Sequence, residues 1–141
     1  MTHRLKELLE RNISELGVPQ RAMSCAPEIS LQAAVFQMRE NKIGSLVIVA
    51  DRKVKGIFTE RDFLEKVALK GEDMSNLPIS SLMTSNPVCV KRNESIGSVL
   101  EKMRNGKFRH IIITDSYDHL EKVVSIREIT EYLTSSFAQK K

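Results

Sequence analysis

A chain of 141 residues that is 41% hydrophobic and 28% charged is long enough for one compact core or for two small cores packed together. Its longest apolar run, residues 46–50, is far shorter than the roughly 20 residues of a membrane span. Because charges also occur throughout the N-terminus, we expect a cytoplasmic protein without membrane attachment. The excess of 22 Lys and Arg over 18 Asp and Glu is mild and interspersed, and only 5% of residues are aromatic, so nucleic-acid binding is poorly supported. A surface that attracts small polyanions accounts for the charge equally well.

The first predicted element is an amphipathic helix over residues 4–16. Its apolar side chains fall on one helical stripe, formed by Leu5, Leu8, Leu9, Ile13 and Leu16. Gly17 and Pro19 then end the helix. Since Glu7, Glu10 and Glu15 would oppose an anionic lipid surface, we expect the stripe to cover the body of the protein or a partner subunit rather than a membrane.

From about residue 21 onwards the chain repeats itself, and this is its most informative property. Two predicted helices share one apolar spacing at an offset of 65 positions, with Leu31, Ala34, Val35 and Met38 in the first and Ile96, Val99, Leu100 and Met103 in the second. At this offset Ser30 falls on Ser95, and each is a good N-cap for its helix.

Strand-like segments repeat in the same way. The elements with matching β-rich composition are residues 44–49 and 109–114, then 54–59 and 120–125, with short leading strands at 21–25 and 87–90. Polar turns at 50–53 and 115–119 are short enough for hairpins. Each copy therefore reads β-α-β-β-α, which predicts an α+β fold.

One such copy of about 60 residues would bury too little surface alone. We therefore expect two copies packed face to face about an approximate two-fold axis, with ligands in the clefts between them. The predicted organisation is an N-terminal helix at 1–17, a first repeat at 18–78, a second repeat at 79–135 and a tail at 136–141.

The stretch from Gly56 to Asp62 is the strongest candidate for a binding site. An apolar strand ends there and a helix begins, with Thr59 and Asp62 spaced so that both side chains reach the helix N-terminus. Unpaired backbone N–H groups at that point favour an anion, which suggests a phosphate-and-sugar site. The same spacing is also that of a capping box, in which the two side chains only satisfy backbone donors. Both interpretations remain open on these residues alone.

Catalytic and metal chemistry are poorly supported. Cys25 and Cys89 lie in apolar surroundings without CxxC or Cys/His ligand spacing, so we interpret them as small buried hydrophobic residues. With only three histidines, the chain offers no convincing Ser/His/Asp or Cys/His constellation, and it contains no GxxxxGK[ST], GxGxxG or HExxH motif. We do not expect an enzyme.

Four segments together resemble cystathionine β-synthase (CBS) domains, namely residues 38–46, 56–62, 82–88 and 107–110. The resemblance covers about residues 18–135 and implies a tandem CBS pair. Such pairs are regulatory modules that typically bind adenine nucleotides or related adenosyl compounds and often dimerise into a flat disc. The resemblance therefore implies AMP, ADP or ATP as the ligand, with S-adenosylmethionine as an alternative, and a homodimer.

The resemblance also assigns roles in the first site. Asp62 would accept both ribose hydroxyls in a bidentate arrangement, and Thr59 would place a short hydroxyl beside a phosphate oxygen. Ile57 would sandwich the adenine together with Pro87 and Val88, and Arg61 belongs to the same motif.

The second copy departs from the family pattern. Lys122 stands where Gly56 does in the first copy, and Glu128 matches Asp62 with a longer side chain. Ser125 and Glu128 form a good capping box, so capping alone and ligand binding both remain open there. Arg109 and His110 occupy a position where the family often carries phosphate-contacting basic residues, although strand alternation directs only one of them into a given cleft.

Two hypotheses follow. The first is a stand-alone regulatory module that binds an adenine nucleotide or adenosyl ligand and signals to a still unknown partner by conformational change. The alternative is a structural dimerisation platform that binds no ligand. We expect one better-formed site centred on Asp62 and a second site that depends on Arg109.

Overall fold

The computed structural model describes residues 2–17 and 22–139, without the side chain of Thr2. The described chain contains the helices α1 (Thr2–Glu10), α2 (Leu31–Glu40), α3 (Glu60–Lys66), α4 (Ile96–Gly106) and α5 (Ile126–Ala138). Its strands are β1 (Ser24–Cys25), β2 (Ser45–Ala50), β3 (Lys53–Thr59), β4 (Thr84–Ser85), β5 (Cys89–Lys91), β6 (His110–Thr114) and β7 (Leu120–Ser125). Short 3₁₀ turns lie at Ile13–Leu16, Ala68–Lys70 and Ile79–Ser81. The fold is α+β, and both predicted β-α-β-β-α repeats are confirmed.

The first compact unit consists of residues 22–87 and is called the repeat-1 unit below. Its sheet has the order β1-β2-β3-β4, with β1 parallel to β2 and the other pairs antiparallel. The hairpin between β2 and β3 turns through Asp51 and Arg52, whose φ angles of 52° and 64° are those of a primed turn. Such a turn matches the right-handed twist of the two strands, which explains why two residues suffice.

The second compact unit, the repeat-2 unit, combines residues 2–17 with 88–139. Its sheet has the order β5-β6-β7, with β5 parallel to β6 and β6 antiparallel to β7. The turn between β6 and β7 is longer, and the Asp115 carboxylate organises it by accepting hydrogen bonds from the backbone N–H groups of Tyr117 (2.8 Å) and His119 (2.9 Å). These hydrogen bonds hold the pKa of Asp115 below its ordinary value, and the bond from the His119 N–H has the largest effect.

Each unit has its own core on the helix side of its sheet. The predicted apolar stripes are buried there, and the cores centre on Leu31, Ala34, Met38, Leu46, Ile48 and Phe58 in the repeat-1 unit and on Ile96, Val99, Met103, Ile111, Ile113 and Val124 in the repeat-2 unit. Because strand residues alternate, Val47 and its cross-strand partner Ile57 lie on the other face of the first sheet.

The 3₁₀ turn at Ile13–Leu16 precedes the first repeat in sequence but belongs to the repeat-2 unit. The N–H of Ile13 donates to the carbonyl of Glu94 at 2.7 Å, and the N–H of Ile96 donates to the carbonyl of Arg11 at 2.9 Å. The Ile13 side chain is 1% exposed and joins the core that contains Ile96. This leading segment is therefore part of the second core.

The corresponding segment of the other repeat behaves reciprocally. The turn at Ile79–Ser81 precedes the second repeat but belongs to the repeat-1 unit, where Ile79 is 0% exposed. Its N–H donates to the carbonyl of Ile29 at 2.8 Å, and the N–H of Leu31 donates to the carbonyl of Leu77 at 2.8 Å. Each leading segment thus completes the unit of the other repeat, with the same hydrogen-bond pattern.

The single helix predicted over residues 4–16 is wrong beyond Glu10. Asn12 is extended, with φ −71° and ψ 143°, because its backbone forms a bridge with Ser95 instead of continuing the helix. Arg11 and Arg4 add hydrogen bonds to α5, from Nη1 to the Tyr132 hydroxyl at 2.8 Å and from Nη2 to the carbonyl of Ser136. The apolar stripe of the N-terminal segment therefore packs against the core of the repeat-2 unit, within the same chain.

The predicted leading strands are shorter or shifted. The first is Ser24–Cys25, and Arg21 lies outside the described residues; the second is Cys89–Lys91. Helix α5 extends to Ala138, into the segment expected to be a tail. Within residues 2–17 and 22–139, every helix is too short or too polar to cross a bilayer.

Candidate functional site

The stretch from Gly56 to Asp62 is the end of β3 followed by the first turn of α3, as predicted. The Thr59 hydroxyl accepts a hydrogen bond from the Asp62 N–H at 3.1 Å, and Asp62 Oδ2 accepts from the Thr59 N–H at 3.0 Å. Asp62 Oδ2 also accepts from the Thr59 hydroxyl at 3.2 Å. The capping box is therefore formed, and it satisfies two backbone donors at the start of the helix.

The other carboxylate oxygen of Asp62 is also occupied. Asp62 Oδ1 accepts a hydrogen bond from the Thr84 hydroxyl at 3.0 Å and lies 3.2 Å from Lys66 Nζ. Asp62 is 7% exposed, and a buried carboxylate is tolerated only where hydrogen bonds and an opposite charge compensate its lost hydration. Asp62 thus has a structural role beyond that of a helix cap.

Lys66 and Thr84 are the residues of this site that the sequence reasoning missed. Lys66 follows Asp62 by four positions on α3, a spacing that brings opposite charges together on one helix face. Thr84 lies in the CBS-like segment 82–88, but the two-residue strand β4 that positions it is too short to show an alternating pattern.

Gly56 explains how β4 reaches the site. Gly56 pairs with Ser85, and Ile57 pairs with Thr84 in the same ladder. A Cβ at Gly56 would lie 2.3 Å from Met83 Sδ and 2.9 Å from the Thr84 carbonyl oxygen. The glycine is needed so that β4 can approach β3 and bring the Thr84 hydroxyl to Asp62.

The remaining first-site residues differ in placement. Ile57 is 7% exposed on the sheet face opposite the helices, one alternation from Thr59, so these two share a face with Val47. Arg61 is exposed and lies 4.0 Å from Glu65 on the helix surface. Pro87 closes the repeat-1 unit two residues after β4, and Val88 opens the other unit. Ile57, Thr59 and Asp62 therefore come together, and Arg61 lies at an exposed position of α3.

In the repeat-2 unit, the second capping box is formed as well. Glu128 Oε1 accepts from the Ser125 N–H at 2.8 Å, and Ser125 Oγ accepts from the Glu128 N–H at 3.1 Å. His110 is the cross-strand partner of Ser125, so their side chains share one sheet face. Arg109 precedes β6 with an exposed side chain, and its carbonyl accepts from the Ile126 N–H at 2.8 Å. Arg109 lies outside the strand, so the expectation that only one of Arg109 and His110 faces a given cleft stays a prediction.

The two capping boxes differ in what surrounds the carboxylate. Tyr132 occupies the position that corresponds to Lys66, since Ser125 corresponds to Thr59 seven residues earlier in each case. Its hydroxyl accepts from Arg11 instead of contacting the cap. The residue seven positions after the N-cap is therefore a lysine paired with the carboxylate in the first repeat and a tyrosine paired with Arg11 in the second.

Neither Cys25 nor Cys89 forms a disulfide. Cys25 is partly buried but Cys89 is exposed, so the expectation of a buried residue is wrong for Cys89. Partial desolvation raises the pKa of both thiols, that of Cys25 to about 11. Within the part of the chain that the structure describes, no cluster of His, Cys, Asp and Glu has the arrangement of a metal site.

Each β-α-β-β-α unit has a helix-capping carboxylate after its third strand, and the two units define a tandem-repeat α+β protein. The family model "CBS domain" matches residues 6–69 and 79–135. The chain belongs to the CBS domain family, as the resemblance predicted.

Relatives agree with this membership. An uncharacterised 17.7 kDa protein of Acidianus ambivalens is 32% identical over 108 residues, which are 76% of this chain and 64% of that protein. This chain thus spans less than two thirds of that relative, and it spans only 19% and 23% of the Arabidopsis thaliana CBS domain-containing proteins CBSCBSPB3 and CBSCBSPB5. The crystal structure of a CBS-domain-containing protein from Agrobacterium tumefaciens has a TM-score of 0.78 and 30% identity, covering 86% of this chain and 98% of the other.

Two further structures share the fold at lower identity. A CBS domain protein from Pyrobaculum aerophilum, solved in complex with AMP, has a TM-score of 0.76 and 24% identity, and the match covers 88% of this chain and 98% of that one. The CBS domain pair of protein MJ0100, in complex with 5′-methylthioadenosine and S-adenosyl-L-methionine, has a TM-score of 0.75 and 20% identity, covering 86% and 98%.

Proposed function

We propose that this protein is a regulatory CBS-pair module whose repeat-1 unit binds an adenine nucleotide or adenosyl compound through Asp62. The observation that carries the proposal is the buried carboxylate of Asp62, placed beside Thr59 and Ile57 at the end of β3. Such a group offers paired acceptors to a sugar diol next to an apolar strand surface suited to a flat base. The AMP and S-adenosyl-L-methionine complexes of proteins with this fold support the ligand class.

Cationic donors for a phosphate occur in the second repeat but not at the matching positions of the first. The first repeat has Gly44 and Ser45 where the second has Arg109 and His110. Arg109, with its planar donor fork, and His110 are the residues that we assign to phosphate. We assign Pro87 and Val88 to the base and treat Ser125 and Glu128 as a weaker second site, because Tyr132 stands in the second repeat where Lys66 stands beside Asp62 in the first.

The test is calorimetric titration of AMP, ADP, ATP and S-adenosylmethionine into the wild-type protein and two matched variants. Asp62→Asn should weaken binding of the preferred ligand roughly ten- to a hundredfold, the effect of losing a charged acceptor worth about 1.5–3 kcal/mol. Glu128→Gln makes the same chemical change in the second repeat and should alter this affinity less than about threefold. Unchanged affinity in Asp62→Asn, with folding verified by urea titration, would show that Asp62 is only a structural residue.

The alternative function is a dimerisation platform without ligand. It is favoured by the complete occupancy of Asp62 and by the exposed apolar side chains of Phe36, Leu64 and Leu69. A platform predicts no rise of the melting temperature with any of the four ligands, whereas a binding module gains about 2.7 kcal/mol at a ligand concentration of 100 Kd. Sedimentation velocity tests the expected homodimer separately. A non-catalytic role and a signal to a partner protein are parts of the same proposal.

A further inference from the structure

Lys66 connects the Asp62 carboxylate to a separate stretch of backbone. Its ammonium lies 3.2 Å from Asp62 Oδ1, donates to the carbonyl of Leu82 at 2.9 Å and lies 3.2 Å from the carbonyl oxygen of Met83. The ammonium therefore has three oxygen neighbours, two as hydrogen-bond acceptors and one as its ion-pair partner. One side chain at the end of α3 thus ties the candidate ligand carboxylate to the segment that precedes β4.

The same segment touches the carboxylate a second time. The Thr84 hydroxyl donates to Asp62 Oδ1 at 3.0 Å, while the Thr84 backbone pairs with Ile57. Residues 82–86, named the exit segment here, therefore depend on Asp62 through one direct hydrogen bond and one ammonium bridge. After the exit segment the chain continues through Pro87 into the strand that begins the second repeat.

Counting acceptor sites shows that the carboxylate is full. A carboxylate has about four lone-pair sites. Asp62 uses two on Oδ2 for the N–H and hydroxyl of Thr59, and two on Oδ1 for Thr84 and Lys66. A ribose that binds with its hydroxyls must therefore displace existing donors. The donors on Oδ1, Thr84 and Lys66, are the ones that a ribose can replace. Displacing the donors on Oδ2 would leave the Thr59 N–H unpaired at the start of the helix.

We infer that Lys66 is a positioning residue through which ligand occupancy at Asp62 loosens the exit segment. This inference rests on the proposed function and adds how that site is regulated. When a sugar diol takes over Oδ1, the Thr84 hydroxyl and the Lys66 ammonium lose their shared acceptor. The carbonyls of Leu82 and Met83 then lose a fixed donor, and the β4 pairing weakens. A ligand without the diol leaves the network in place.

Hydrogen exchange of the exit-segment amides measures this coupling directly. With the wild-type protein saturated by AMP, we expect exchange at residues 82–86 to rise severalfold. Saturation with 2′,3′-dideoxyadenosine 5′-monophosphate, which keeps the base and the phosphate, should leave residues 82–86 unchanged. This comparison needs no variant, so it does not depend on how any substitution folds.

Variants separate positioning from general stability. Lys66→Met should raise exit-segment exchange roughly tenfold without ligand, and AMP should then add little. Lys66→Arg, which retains the charge and the donors, should restore the response to AMP. The matched control Lys70→Met removes an equal charge from an exposed lysine on the next turn and should change neither quantity. Thr84→Val should raise exchange in the same segment through loss of the direct hydrogen bond.

The outcomes are distinguishable. If calorimetry shows that AMP binds but exchange at residues 82–86 stays constant or falls, the coupling is refuted and the proposed function stands. The same conclusion follows if AMP and its dideoxy analogue change the exit segment equally. If AMP, ATP and S-adenosylmethionine all fail to bind, the proposed function and the coupling are refuted together.

Discussion

Replacing Ile13 by alanine should destabilise the second repeat, although Ile13 precedes the first repeat in the sequence. The side chain is 1% exposed and packs in the core that contains Val90, Ile96 and Val99. Removing three carbons costs about 2.4 kcal/mol at about 0.8 kcal/mol for each buried methylene. The cavity left among stiff branched neighbours raises the expected loss to about 3–4 kcal/mol, within the usual range for such substitutions.

Hydrogen exchange resolved by peptide locates this loss. In Ile13→Ala, the slowest amides of α4 and α5 should exchange about a hundred- to a thousandfold faster, while those of α2 and α3 keep their rates. Ile79→Ala, the matched change in the other leading segment, should give the opposite pattern. Leu5→Ala, at an exposed position of α1, should change stability by no more than about 0.5 kcal/mol. Faster amide exchange in α2 and α3 after Ile13→Ala would refute the assignment of Ile13 to the core of the repeat-2 unit.

Two other changes test local packing. Gly56→Ala should cost about 1–3 kcal/mol in urea unfolding, because the new methyl group collides with Met83 and the Thr84 carbonyl and must push β4 away; stability equal to that of wild type would contradict this close approach. The thiol of Cys25, with its pKa raised by burial to about 11, should react with iodoacetamide at pH 8 about a hundredfold more slowly than after unfolding in urea, as followed by mass spectrometry. Equal rates in the folded and unfolded protein would show that Cys25 is not protected.

Most of the fold could be predicted because its information is local and occurs twice. The apolar spacing of Leu31 to Met38 recurs from Ile96 to Met103, and both stripes are buried as expected. Ser30 and Ser95 cap their helices through hydrogen bonds of 3.1 Å to the backbone N–H groups of Ala33 and Ser98. A pattern that appears in two copies distinguishes a structural requirement from chance, even in a single sequence.

The parts that could not be predicted depend on contacts between distant residues. Strand β4 has two residues, and it pairs with β3 because Gly56 has no side chain where Met83 passes. The break of the N-terminal helix follows from the pairing of Asn12 with Ser95, which no local pattern encodes. The similar runs Ile13 to Leu16 and Ile79 to Leu82 did carry a signal, since they extend the repeat further upstream than was recognised.

The candidate site was predictable in part for the same reason. The spacing of Thr59 and Asp62 predicted a capping box, and the structure contains it. Ligand binding by these residues stays a prediction. Lys66 could have been noticed from its i, i+4 relation to Asp62, whereas the contact of Thr84 with the same carboxylate depends on the path of the chain after α3.

The crossed leading segments have a consequence for a chain with only one repeat. In a fragment that contains one sequence repeat, the leading isoleucine could not pack in the core of that fragment. The N-cap serine of its first helix would also lack the backbone bridge that Asn12 forms with Ser95, or Pro78 with Ser30. Two copies of that fragment could supply these parts to each other. A single gene that encodes both repeats makes this mutual completion intramolecular, so its effective concentration no longer depends on how much protein the cell contains.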